Sequence, residues 1–200
     1  MIPRVFHQVW IGDKKMPVEW MQTWQDKNPS FKYVLWRERE IEQFGMKNWD
    51  KYYDFYKRGL YAGAVDIARV EILTAEGGIY VDADSICLES LENAPFIKKE
   101  FFAGYEYDQR VANGVIGCIP GHPIMREYLS RLTEATVLEP PCYTIGGTML
   151  TSCVDSHGDD PNVEILPSYM FYPKWKHRGE IKGEIYSRQM WGTTKSLYED

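Results

Sequence analysis

The sequence contains no apolar run approaching the ~20 residues that a membrane-spanning helix needs, and its opening MIPRVFHQVWIGDKK returns to polar residues too soon for a secretory leader. No integral membrane segment is therefore expected. Cysteine is scarce: four residues, Cys87, Cys118, Cys142 and Cys153, lack the paired spacing of a zinc site or a disulfide framework. Reduced thiols in a cytoplasmic compartment fit that usage. Positive charge is short as well, 23 Lys and Arg against 29 Asp and Glu, so at a net charge of -6 a nucleic-acid backbone or an anionic membrane surface is repelled at long range. There is no G-x-S-x-G elbow for serine-hydrolase chemistry, and no glycine-rich loop with a basic residue near the N-terminus for nucleotidyl transfer. No repeat, low-complexity tract or linker divides the chain, and 200 residues suffice for one buried core but are short for two. Residues 1–200 are expected to form a single domain, which can itself be one module of a longer polypeptide.

What the chain does have is aromatic surface, 14 Tyr and 7 Trp, more than a core of this size needs, and such faces stack well on nucleobases and sugar rings. Residues 4–10 (RVFHQVW) read as a first strand that stops at Ile11-Gly12-Asp13, residues 18–27 as an amphipathic helix, and residues 31–36 (FKYVLW) as a second strand. Strand, helix, strand opens an α/β sheet. One or two short helices are expected over 38–58, then the most helical stretch of the chain, 60–76, stopped by Gly77-Gly78. Short strands follow at 79–81, 101–105, 111–119 and 164–166, with helices over 122–135 and 143–154, the latter carrying Gly146-Gly147 in its first turn.

The chemistry concentrates around Asp82-Ala83-Asp84. If the two acids lie on an extended strand, their α-carbons are about 6.6 Å apart and their carboxylates project to one face. Hard divalent cations take oxygen ligands, and magnesium is usually held by one or two carboxylates plus substrate phosphates. Two solvated acids in a turn is the plain alternative. The helix before them, however, carries Asp66 and Arg69 at i and i+3 in line with apolar Val70 and Leu73, so charges sit on a core-facing stripe. A buried Asp-Arg pair tying helix to sheet is one account of that stripe. Because such a pair costs desolvation, a polar ligand bridging it is the more economical one.

These residues carry a resemblance. The stretch GLYAGAVDIARVEILTAEGGIYVDADSI resembles the signature of glycosyltransferase family 32, whose pattern of a small residue, Asp, two residues, Arg, then G-G-I-Y-x-D-x-D appears here in register. IPRVFHQVWIG, ANGVIGCIPGHPIM and ILPSYMFYP resemble further elements of the same family, so the likeness covers nearly the whole chain. It implies an α/β GT-A fold, a Rossmann-like, mixed but mostly parallel sheet flanked by helices. It further implies a hexosyltransferase that retains anomeric configuration, uses Mn²⁺ or Mg²⁺, and takes a nucleotide-sugar donor, UDP-hexose favoured over GDP-mannose, with a saccharide or glycoprotein-glycan acceptor.

By the same likeness Asp84 binds the metal directly, Asp82 contacts metal or ribose, and Asp66 and Arg69 hold hydroxyls of the donor sugar. Trp10 stacks on the base, His7 or Gln8 lines the nucleotide pocket, and Asn113 faces donor or acceptor sugar. A satisfied core histidine and a turn asparagine are the structural readings of His7 and Asn113. Near the C-terminus, residues 189–195 (QMWGTTK) have the spacing of an H-x-x-G-x-x-K element of retaining GT-A enzymes. Lys195 would then meet the diphosphate beside Trp191, and Gln189 stands where those enzymes place a metal-binding His. No nucleophile is named; Glu106 and Asp108 are formal candidates only. The rival readings are a nucleotide-sugar hydrolase or phosphoesterase, and a non-catalytic sugar-nucleotide-binding module.

Overall fold

A computed structural model describes residues 1–107, 109–136, 143–157, 159–173 and 181–192. Asp108, Cys142, Lys195 and the last residues of the QMWGTTK element lie outside them. A six-stranded sheet runs in the order β2-β1-β3-β6-β5-β7, built from β1 (Val5–Val9), β2 (Lys32–Trp36), β3 (Gly78–Val81), β5 (Phe101–Tyr107), β6 (Arg110–Cys118) and β7 (Val163–Leu166). The pairs β1/β2, β1/β3 and β5/β7 are parallel, while β6 runs antiparallel to both β3 and β5. The sheet is thus mixed and mostly parallel, as expected.

Strand alternation divides the core. Tyr80, Phe101, Ala103 and Ile116 face a layer of helices that includes α3 (Trp49–Lys57), α4 (Tyr61–Glu76), α5 (Pro123–Glu134) and α6 (Gly147–Asp155). Their neighbours Ile79, Val81, Phe102 and Val115 face the other way, onto Trp24 of α1 (Val18–Lys27) and the aromatic group Phe96, Phe171, Tyr172 and Tyr186. Helix α4 is central: Ala64, Ile67, Ala68, Val70, Ile72 and Leu73 are all fully buried, so its sequence is apolar on almost every side. It stops where Gly77 and Gly78 take φ of 62° and 88°. A Cβ on Gly77 would lie 2.6 Å from the Pro120 nitrogen, and one on Gly78 2.6 Å from Val5 Cγ1, so the helix can turn straight into β3 only with glycine at both places.

Three features change or add to that outline. The helix expected over 143–154 begins only at Gly147, because Gly146 is non-helical (φ -89°, ψ -139°) and the buried Tyr128 hydroxyl donates to the Ile145 carbonyl at 2.6 Å. A second sheet was not anticipated: β4 (Ser85–Cys87) pairs antiparallel with β8 (Ser187–Gln189) in a two-stranded ribbon. Finally, β3 ends at Val81, so Asp82, Ala83 and Asp84 lie in the turn between β3 and β4, off the extended strand. Among the described residues no helix is long and apolar enough to cross a membrane.

Candidate donor site

The turn that carries the acids is held at its first carbonyl. Ser85 donates to the Asp82 carbonyl through its backbone N–H at 3.1 Å and its hydroxyl at 2.6 Å, and Gln8 Nε2 adds a third bond at 3.3 Å. The Asp82 N–H in turn donates to the Gly114 carbonyl at 2.8 Å. Bent in this way, the two carboxylates converge although they do not share a strand face. Gln189 Nε2 lies between them, 3.1 Å from Asp82 Oδ2 and 2.5 Å from Asp84 Oδ1, and the Gly192 N–H donates to Asp84 Oδ2 at 2.9 Å. Trp191, just before Gly192, has φ 60°, an uncommon conformation for a bulky residue that turns the chain so that its successor's N–H meets the carboxylate.

Behind Asp82 lies the α4 pair. Arg69 Nη2 donates to Asp82 Oδ1 at 2.7 Å, and its Nη1 is 3.1 Å from Asp66 Oδ1, an ion pair without hydrogen-bond alignment. The guanidinium carbon sits 4.3 Å from the centre of the Tyr80 ring, whose hydroxyl also reaches Asp82 Oδ1 at 3.2 Å. Asn113 Nδ2 donates to Asp66 Oδ1 at 2.8 Å. Burial pushes the Asp66 carboxyl up to about 6; Arg69 opposes the rise and the Asp82 charge adds to it. Burial works against the Arg69 charge too, but Tyr80, Asp82 and Asp66 more than offset it, so the guanidinium stays protonated.

Asn113 reaches Asp66 because β6 breaks register there. Ile116 pairs with Ala103 and Ala112 with Gly104, so Asn113, Gly114 and Val115 have no counterpart on β5, while Val115 keeps its place opposite Val81 of β3. A Cβ on Gly114 would lie 2.6 Å from Asp82 Oδ2 and 3.1 Å from the Tyr172 hydroxyl. Gly114 and Tyr172 are therefore parts of the site that residue-by-residue reading passed over. The only local signal was their place inside ANGVIGC and ILPSYMFYP.

The site residues named from sequence thus divide. Asp66, Arg69, Asp82, Asp84, Asn113 and Gln189 come together, and Trp191 joins them through the backbone. His7 does not line an open pocket: it is 3% exposed, its Nδ1 accepts from Trp36 Nε1 at 3.0 Å, and its Nε2 meets the Gly77 carbonyl at 3.1 Å. Burial depresses its pKa to about 4, which keeps the ring neutral. Gln8 is likewise enclosed, accepting from the Tyr33 hydroxyl at 2.7 Å while it braces the Asp82 carbonyl. Gln8 thus braces the acid turn and His7 the Gly77-Gly78 turn at the other end of β3, and this enclosure corrects the expectation that they line an open nucleotide pocket. Trp10 lies at the carboxyl end of β1, its indole N–H on the Lys14 carbonyl at 3.0 Å.

The oxygens fit a divalent cation, though sparsely. Among the described residues no group of three or more His, Cys, Asp or Glu is placed to hold a metal. Two carboxylates and an amide are what converge. Gln189 Oε1 is buried with no hydrogen-bond partner while Nε2 occupies the gap between the acids, so reversing the amide would turn three oxygens, Asp82 Oδ2, Asp84 Oδ1 and Gln189 Oε1, towards that gap. Such a set suits a hard cation that takes its remaining ligands from phosphate and water.

Residues 17–102 match the family described as "Glycosyltransferase sugar-binding region containing DXD motif". This stretch is similar to a glycosyltransferase sugar-binding region. An uncharacterized glycosyltransferase of Acanthamoeba polyphaga mimivirus is 35% identical over 136 residues, 62% of this chain and 53% of the relative. A mannosyl phosphorylinositol ceramide synthase of Saccharomyces cerevisiae is 28% identical over 66% of this chain and 35% of its own length. The chain therefore spans about half the length of the first of these relatives and a third of the second. In three dimensions it is similar to the PaToxG glycosyltransferase (TM-score 0.65, 20% identity, 78% of this chain and 70% of that one). It is also similar to the ligand-free glycosyltransferase domain of the YGT toxin (TM-score 0.60, 11% identity, 82% and 79%). The fold of the chain is GT-A.

Proposed function

We propose that this chain transfers a hexose from a nucleoside-diphosphate sugar to a saccharide or glycan acceptor, with retention of configuration and with a divalent cation, manganese or magnesium, between Asp82 and Asp84. The observation that carries the reading is the shared Gln189 amide, which marks a cation-sized gap between the two carboxylates, 3.1 and 2.5 Å from its nitrogen. The Asp66–Arg69–Asn113 group adjoins that gap through Asp82. When bound, the cation would neutralise charge on the departing diphosphate. The chain's own residues do the rest. Asp66 and Asn113 present an acceptor and a donor to sugar hydroxyls, and Arg69, kept charged by its neighbours, fixes Asp82 and Asp66 before substrate arrives. Retention, the Trp10 contact with the base and the Lys195 contact with the diphosphate rest on the family resemblance. The buried free thiols of Cys87, Cys118 and Cys153 are in keeping with a reducing, cytoplasmic setting.

UDP-hexose is the favoured donor because the Asp66, Arg69, Asp82, Asp84 spacing resembles that of glucosylating toxins. GDP-mannose is the second reading, supported by the mannosyl transfer that the name of the yeast relative declares. Calorimetry with UDP and GDP, each with and without Mn²⁺, separates them. Asp84→Ala should abolish cation-dependent nucleotide binding, whereas Asp66→Ala should spare nucleotide affinity and impair discrimination between sugars. Nucleotide affinity and metal dependence that survive Asp84→Ala would falsify the cation assignment. If saccharides never raise turnover above the rate of donor hydrolysis, the hydrolase reading replaces transfer.

A further inference from the structure

Beyond the acid turn, a second group of polar and aromatic side chains gathers where β6 leaves the β5–β6 hairpin. Arg110 Nη1 is 3.5 Å from Glu106 Oε2 and donates to the Tyr107 hydroxyl at 3.1 Å. The guanidinium carbon lies 5.7 Å from the centre of the Tyr107 ring and 5.5 Å from that of Tyr143. The two charged side chains are only 19% and 15% exposed, whereas Tyr143 is 63% exposed. Gly147, at the start of α6, makes room for the arrangement: a Cβ there would come 3.4 Å from Arg110 Nε and 2.7 Å from the Val111 carbonyl.

This group borders the donor site on two sides. The Arg110 charge favours the ionised form of Asp66, and the Glu106 charge disfavours ionisation of the Tyr172 hydroxyl. Asn113, three residues after Arg110 on β6, is itself bonded to Asp66 at 2.8 Å. A chain of polar groups therefore leads from the place assigned to the donor sugar outward to an exposed ring.

We propose that Glu106, Arg110 and Tyr143 form the subsite for the acceptor saccharide, an assignment that rests on the transferase reading above. A carboxylate beside a planar guanidinium offers an acceptor and directed donors to neighbouring hydroxyls of one sugar, and the Tyr143 ring offers a face for its C–H side. A mostly buried pair serving only to close the hairpin would lose in desolvation much of what its attraction gains. It would also gain nothing from an open aromatic ring brought in from the approach to α6.

The test is a titration of the protein carrying ¹³C-labelled tyrosine with methyl α-D-mannopyranoside and methyl α-D-glucopyranoside, in the presence of Mg²⁺ and the nucleoside diphosphate that calorimetry selects. The expected result is a saturable shift of the Tyr143 ring signal whose apparent Kd rises at least tenfold in Arg110→Gln, while nucleotide affinity in that variant stays within about twofold of wild type. Tyr143→Ala, a change at an exposed ring that leaves the core intact, should weaken glycoside binding tenfold as read by saturation transfer to the glycoside. Glycosides that leave the Tyr143 signal unmoved, or that bind both variants as well as wild type, overturn the subsite and leave the donor reading standing. Failure of the wild type to bind either nucleotide with any cation removes the donor reading itself and the acceptor assignment with it.

Discussion

The two acids of the D-x-D turn are two residues apart, yet they belong to different parts of the molecule. Asp82 is sewn into the interior: Arg69 and Tyr80 bond its Oδ1, Gln8 and Ser85 its carbonyl, and Gly114 its N–H. Asp84 is held from the other side of the chain, by Gln189 and Gly192 at the end of the β4–β8 ribbon. Apart from the Gln189 amide that also touches Asp82, one carboxylate is thus positioned by the central helix and sheet, the other by three-residue strands joined across about a hundred residues of sequence. Loss of a partner should cost folding stability in the first region and ligand affinity in the second.

The largest expected effect is therefore Arg69→Met. It leaves Asp66 and Asp82 facing each other in a buried setting without their cation, a loss of about 3–5 kcal/mol, read as a fall in Tm of roughly 10 °C. A variant melting within a degree or two of wild type would contradict the account of the Asp82 region. Gln189→Leu probes the other side. We expect Tm to change little, while cation-dependent nucleotide affinity, measured calorimetrically, drops by about 10–100-fold; a large loss of stability instead would show that the ribbon braces the fold as well as the ligand. Gly114→Ala acts on Asp82 and not on Asp84: a Cβ 2.6 Å from Asp82 Oδ2 and 3.1 Å from the Tyr172 hydroxyl forces the carboxylate away and should weaken the same affinity several-fold. Unchanged binding there would mean Asp82 contributes no ligand atom.

The smallest effect is in pH. In the folded protein Asp66 has a carboxyl raised to about 6 against an ordinary 3.8, so between those values the folded state binds the extra proton, and stability from this group falls as pH rises through that window. Asp66→Asn keeps an oxygen for the Asn113 bond and removes the titration. Its Tm should exceed that of wild type by a few degrees at pH 7, and the gap should close towards pH 4. His7 acts in the opposite sense: with its pKa held near 4, its contribution is complete above about 6.5 and is lost as pH falls. Because His7 is present in both proteins, the comparison isolates Asp66; a gap that widens on acidification would show the buried carboxyl is not the cause.

Much of the fold was legible. Periodicity and glycine punctuation place α1, α4, α5 and the strands of the main sheet within a few residues of their observed bounds, because apolar pattern and helix stops act over neighbouring residues. The ribbon β4–β8 was not legible, since three-residue strands carry no usable alternation and their pairing partner is remote in sequence. The site divides along the same line. Asp66 and Arg69 are written as charges on an apolar stripe of one helix, a local pattern. That Gln189 lies between the acids, that Gly114 vacates the space beside Asp82, and that His7 is sealed beneath the Gly77-Gly78 turn are all contacts between distant segments.

By itself, then, the sequence determined which elements form, where α4 must stop, and that two acids follow the buried strand, because helix period, strand alternation and the need for glycine at positive φ act over a few neighbouring residues. Only the tertiary structure decided that those acids converge from a turn instead of a strand face, and which side chains enclose them. Convergence depends on the β6 bulge and on a closing segment from the far end of the described chain, and no local preference encodes a distance between residues 82 and 189.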